Sequence, residues 1–137
     1  MAASEIMRFY NTGVPRFDKE HLDILTLLDE ITYSQVMEET IKKLDLMLEE
    51  MVKHTKAEEL FMEKMKFPHL KYHQAMHNSM LNDFTNIIET IKKDGDRFIG
   101  LHITKLSNIL KEHIEWLDIP YGEYANQLRE ANHPRNT

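Results

Sequence analysis

Three short stretches of this chain set metal-ligand residue types about one helical turn apart. HTKAE places His54 four residues before Glu58, HQAMH places His73 four before His77, and HIEWLD places His113 five before Asp118. A fifth histidine, His21, stands upstream on its own. In an α-helix a spacing of four leaves two side chains about 40° apart, so both can reach one point. A spacing of five leaves them roughly 140° apart, which puts HIEWLD out of step with the others. A lone inward histidine is ordinarily a hydrogen-bonded core residue, and a single HxxxE is commonplace on a solvated face. The combination differs. Five imidazoles and two carboxylates buried without compensation would cost many kcal/mol. A metal removes that cost, because it takes neutral imidazole and ionised carboxylate as ligands.

The donor set narrows the metal. Five histidines exceed the needs of one tetrahedral zinc. Calcium and magnesium prefer all-oxygen shells. Seven side chains suit two metals. Five imidazole bonds, four from two bridging carboxylates and two from one bridging oxygen fill eleven of the twelve positions of two octahedra. One position stays open, on one metal only, and such a site is built to bind one small ligand.

The elements that must carry these residues read as helices. Glycine and proline are scarce, four of each. Residues 1–17 form an irregular arm with Phe9, Tyr10, Gly13 and Pro15. A first helix runs from Asp18 to about Tyr33 with Phe17, His21, Ile24, Leu25 and Leu28 on one face. A second, from about Gln35 to Lys66, carries Ile41, Leu44, Met47, Leu48, Met51, His54, Glu58, Phe61, Met62 and Met65 inward. A third spans about 70–93, with Gly95 as its C-cap. A fourth, about 97–118, carries Phe98, Leu101, Leu106, Leu110, His113 and Leu117, and Pro120 stops it. A short tail helix through Leu128 follows. Four amphipathic helices with short connections predict one domain, an all-α, up-down-up-down bundle over about 18–118, with a tail over 119–137.

Bulk composition agrees. The 137 residues suit one core, and 42% apolar with 29% charged residues is ordinary for a soluble protein. The net charge of −6 argues against nucleic acid or an anionic membrane as the main partner. The absence of cysteine excludes disulfides, zinc-thiolate sites and iron–sulfur clusters. MAASEIMRFY lacks the apolar core of a signal peptide, and no apolar run reaches a membrane span, so cytoplasm is the expected location.

The series His21, His54–xxx–Glu58, His73–xxx–His77 and His113–xxxx–Asp118 resembles the hemerythrin motif in order, type and spacing, over nearly the whole chain. The resemblance is to the single-domain bacteriohemerythrins, and implies reversible dioxygen binding at two non-heme irons with an oxo or hydroxo bridge. Glu58 and Asp118 would bridge the irons. His73, His77 and His113 would fill one iron, and His21 and His54 would bind the other, which keeps the open position. Ile24, Leu110 and Ile114 would wall the oxygen pocket. Nitric oxide and small anions such as azide are further expected ligands. The alternatives are a diiron oxidase or peroxidase and an iron or nitric oxide handling protein. Asp18 either caps the first helix or orients His21.

This sequence departs from the family at three places. The arm has Phe9 and Tyr10 where many bacterial members have tryptophan. Thr55 follows His54 where an aromatic is frequent in the invertebrate proteins, and Glu115 stands where leucine is frequent. Glu115 is expected at solvent or a channel rim. His69, His102 and His133 fit no ligand position and read as surface residues. Asp118 must approach from a different direction than His113; Pro120 would bias Ile119 out of the α-helical region and swing Asp118 inward.

Overall fold

The computed structural model describes residues 10–32 and 36–132, so Phe9, Tyr33, Gln35 and His133 fall outside the described residues. The described chain is helical: α1 Pro15–Thr32, α2 Met37–Lys64, α3 Leu70–Asp94, α4 Ile99–His113, a π-helical turn Ile114–Asp118, and α5 Ile119–Asn132. Helices α1 and α2 pack together, as do α2 and α3, α3 and α4, and α4 back on α1, which closes a ring of four.

Local chemistry sets the ends. Proline at the first position of α1 sacrifices no hydrogen bond, because that N–H would have no helical partner. Glu38 and Glu39 open α2, and Lys64 closes it, each complementing the helix dipole. Lys66 takes a left-handed conformation, φ 55°, and its N–H donates to the Glu63 carbonyl, turning the chain toward Pro68. Gly95 caps α3 as expected, at φ 70° with its N–H on the Ile91 carbonyl.

Two expectations for α4 fail. Phe98 and Leu101 are 60% and 68% exposed. Phe98 lies before the helix in a left-handed conformation at φ 60°. The buried stripe is Ile103, Leu106, Leu110 and His113, and Leu101 lies roughly 200° around from Ile103. Pro120 does not stop the fourth helix either. It follows Ile119, which keeps α-helical angles (φ −60°, ψ −48°), and the chain continues as α5 to Asn132.

Two apolar clusters form the interior. The larger holds Ile24, Leu28, Met47, Met51, Met80, Phe84, Leu106, Leu110 and Ile114, among others. The smaller holds Phe17, Met62 and Tyr121, with Phe61, Met65 and Phe67 packed against it. Along α1, α2 and the π-helical turn the predicted ligands sit between the two. His21 lies between Phe17 and Ile24, His54 and Glu58 between Met51 and Met62, and Asp118 between Ile114 and Tyr121.

Candidate metal centre

All seven predicted ligands are buried, none more than 7% exposed, and the fold brings them to one place. They form two overlapping groups whose ligand atoms lie within 4.8 Å of one another. One group is Glu58, His73, His77, His113 and Asp118. The other is His21, His54, Glu58 and Asp118. Glu58 and Asp118 belong to both, so each group can hold a metal ion and the two carboxylates stand between them.

Every imidazole approaches through Nε2. Asp118 divides its oxygens: Oδ1 lies 2.9 Å from His73 and 3.1 Å from His113, and Oδ2 lies 3.1 Å from His21. Glu58 Oε1 lies 3.0 Å from His54 and 3.3 Å from His77. Of these five approaches only His73 to Asp118 has hydrogen-bond geometry. Nε2 of His21, His54, His77 and His113, both Glu58 oxygens and Asp118 Oδ2 are buried without a hydrogen-bond partner among the described residues. Buried polar atoms are ordinarily paired. Seven unpaired atoms converging between two apolar clusters fit a bound cation better than a packed protein core.

The electrostatics agree. Burial opposes ionisation of Glu58, yet His54 beside it holds its carboxyl well below the usual range. Burial likewise opposes ionisation of Asp118, and contacts with His113, His21 and His73 hold it far down. His54 is pulled down by burial, but the Glu58 charge and a hydrogen bond to Glu20 outweigh that and push it up to about 10. Without metal, the raised His54 and His113 offset the two buried carboxylates. A metal would supply that positive charge instead.

The spacing of five in HIEWLD is resolved by the π-helical turn. The Ile119 N–H donates to the Ile114 carbonyl, five residues back. One wider turn then accommodates five residues, and Asp118 points into the site with His113. The inward swing comes from the extra residue in that turn, since Ile119 stays α-helical. Glu115 and Trp116, in the same turn, face outward, Glu115 as expected.

The structure also corrects Asp18. It neither caps α1 nor reaches His21. Its carboxylate accepts from the Thr12 N–H (2.8 Å), the Thr12 hydroxyl (2.6 Å) and the Gly13 N–H (3.1 Å), tying the arm to α1. Ile24, Leu110 and Ile114 are all buried and belong to the larger apolar cluster. His69 is exposed as expected, whereas His102 is only half-exposed, with its Nε2 buried. A groove of about 290 Å³ between α3 and α4 reaches His113, with Tyr72, Met76, Ile109, Trp116 and Leu117 along it.

Three residues at the site carried no mark in the sequence pattern. Glu20 accepts from His54 Nδ1 at 2.9 Å, and Glu59 lies 3.4 Å from His77 Nδ1. Tyr121 is fully buried, its ring 5.4 Å from that of His73 and nearly perpendicular to it. Burial, Glu58 and Asp118 push its ionisation far upward, so the phenol stays neutral. The available signal was chemical: a metal-bound histidine needs an acceptor at its other nitrogen, so acidic residues beside ligand positions are candidates.

Comparison with protein-family models, curated proteins and solved structures finds no match to this chain.

Proposed function

We propose that this protein binds dioxygen reversibly at a carboxylate-bridged pair of non-heme irons. One observation carries the reading: two overlapping buried ligand groups share Glu58 and Asp118 and divide five imidazoles three to two. The division supports one filled metal and one with an open position. Glu58 and Asp118, common to both groups, would be shared by the two metals. His73, His77 and His113 would complete one metal position, and His21 and His54 would hold the other.

When bound, an iron pair would supply the electrons for holding dioxygen. The chain's own residues set the conditions. The five imidazoles keep Nε2 toward the centre, and the two carboxylates offset the positive charge. Ile24, Leu110 and Ile114 exclude water on one side, while Phe17, Met62 and Tyr121 close the other. We read the helix order as up-down-up-down. His21 and His73 lie near the starts of α1 and α3, His54 in the C-terminal half of α2 and His113 at the end of α4. Their meeting at one place supports successive helices that alternate in direction.

An oxidase or peroxidase at the same centre is less well supported. Oxygen-activating diiron bundles are built on four carboxylates and two histidines, and this donor set is the reverse. The net charge of −6 favours a small neutral ligand over nucleic acid. Among the described residues, no helix is long and apolar enough to cross a membrane. The test is an oxygen-binding isotherm of the reduced, iron-loaded protein. A visible band that saturates with oxygen and bleaches under argon is expected. Irreversible bleaching with turnover of an added reductant would favour the enzyme.

A further inference from the structure

Glu20 and Glu59 share a pattern. Each sits next in sequence to a residue of the metal centre, Glu20 before His21 and Glu59 after Glu58. Neighbours on a helix point about 100° apart, so each pair sends one side chain into the centre and the other across to the next helix. Glu20, on α1, reaches His54 on α2. Glu59, on α2, reaches His77 on α3. Each thus serves a different group of ligands.

The two contacts are unequal. Glu20 Oε1 lies 2.9 Å from His54 Nδ1, whereas Glu59 stands 3.4 Å from His77 Nδ1. Glu20 is itself steadied: its Oε2 faces Arg16 at 3.6 Å, one turn earlier on the same helix. The Phe17 ring meets the His54 ring edge-on at 5.8 Å, limiting its tilt. The other imidazole of that group, His21, has a buried Nδ1 without a hydrogen-bond partner among the described residues. The two-histidine group therefore has a single ring fixed by a strong acceptor. The three-histidine group has more imidazoles and a longer contact.

We propose that Glu20 is a positioning residue that locks His54 with its proton on Nδ1 and its Nε2 lone pair toward the metal, and that the two-histidine position depends on it. The inference rests on the two-metal reading above. A neutral imidazole carries one N–H, so an acceptor at Nδ1 decides which nitrogen is free to ligate. A carboxylate acceptor also makes the ligating nitrogen more basic. Glu59 does the same for His77 more weakly, and its position is buffered by His73 and His113.

The test uses zinc as a diamagnetic probe, added stepwise to the metal-free full chain against a chromophoric chelator, with Glu20→Ala, Glu20→Gln and Glu59→Ala. Wild type is expected to take two zinc ions. Glu20→Ala should weaken one of them by about ten- to a hundredfold and leave the other unchanged, the usual cost of losing such a partner. The unchanged ion reports that the bundle has folded. Glu20→Gln keeps an acceptor oxygen without the charge and should give an intermediate loss. In the zinc-loaded protein, long-range nitrogen–proton NMR should show His54 protonated at Nδ1 in wild type and lose that signature in Glu20→Ala. Glu59→Ala should weaken the opposite ion, by a smaller factor. Two zinc ions bound equally tightly in wild type and Glu20→Ala, with the His54 tautomer unchanged, would overturn the positioning role and leave the two-metal reading standing. Fewer than two ions in wild type would overturn both.

Discussion

Raising the pH should destabilise the metal-free protein while strengthening metal binding. The ionisation of His54 is pushed up to about 10 from its ordinary 6.5: burial lowers it, and Glu58 and Glu20 raise it more. A group whose folded value lies above its unfolded one contributes stability fully below the unfolded value. That contribution is lost as pH rises through the folded value. The window is therefore 6.5 to about 10. Each pH unit of displacement is about 1.4 kcal/mol, so the ceiling is roughly 5 kcal/mol for His54. His113 adds in the same sense: burial lowers it, and Asp118 and Glu58 together outweigh that and raise it. Glu58 and Asp118 do not confuse the window. Their depressed values place their losses on the acid side, below the ordinary carboxylate range. Bound metal replaces the imidazole protons, so the loaded protein should not lose this stability. Its advantage over the metal-free form should widen by up to about 1.4 kcal/mol per pH unit for each proton displaced. The assay is urea unfolding of chelator-treated protein across this window, with and without saturating ferrous ion under argon. His54→Gln serves as reference, because tyrosine and lysine titrations common to both cancel in the difference. A difference that stays flat from neutral pH to the top of the window would refute the charge arrangement argued here.

Metal analysis after iron loading should give about two irons per chain, the capacity of two ligand groups. Glu58→Ala and Asp118→Ala should each lose the paired site, since each carboxylate serves both groups. His69→Ala and His102→Ala should leave iron content and spectrum unchanged; loss of iron in either would put the ligand assignment in error. Leu110→Ala should cost about 2–5 kcal/mol as a buried truncation. It should also speed irreversible decay of the oxygenated band severalfold at constant iron content, measured in air at one pH; equal decay would mean Leu110 is core alone. Gly122→Ala should be poorly tolerated, because the new methyl would stand 2.2 Å from the Thr12 carbonyl oxygen, a backbone atom. A loss of about 1–3 kcal/mol in urea unfolding is expected, with faster decay of the oxygenated band if the arm and α5 shield the centre.

The candidate ligands are legible because burial and chemistry coincide in them. His54, Glu58, His73 and His77 obey helical spacing and face inward among methionine and isoleucine, so pattern alone aligns them. Leu101 misled for the opposite reason: it extends an apolar run in sequence, but the stripe that packs is set by Ile103 and Leu106. The partners Glu20 and Glu59 were not legible, since each is an acidic residue on a half-exposed face, and only the imidazole beyond it gives it a task. Tyr121 carries no mark in the sequence because it lies past Pro120, where the fourth helix is expected to end.

The out-of-step spacing in HIEWLD connects Pro120, Asp118 and Tyr121 mechanically. Pro120 has no N–H, so a straight α-helix would lose a hydrogen bond there and crowd the ring against the carbonyl four residues back. The π-helical turn just before it widens the backbone where that crowding would fall. The residue inserted there turns Asp118 inward. The phase it imposes on α5 lays Tyr121 against His73 and Gly122 on the Thr12 carbonyl. Thr12 is held by Asp18, in the first turn of α1, three residues before His21. His21 in turn lies 3.1 Å from Asp118. The path from Asp118 through the tail, the arm and α1 thus returns to Asp118. A change at Gly122 or Asp18, neither of them a ligand, therefore acts on the shared carboxylate from both ends.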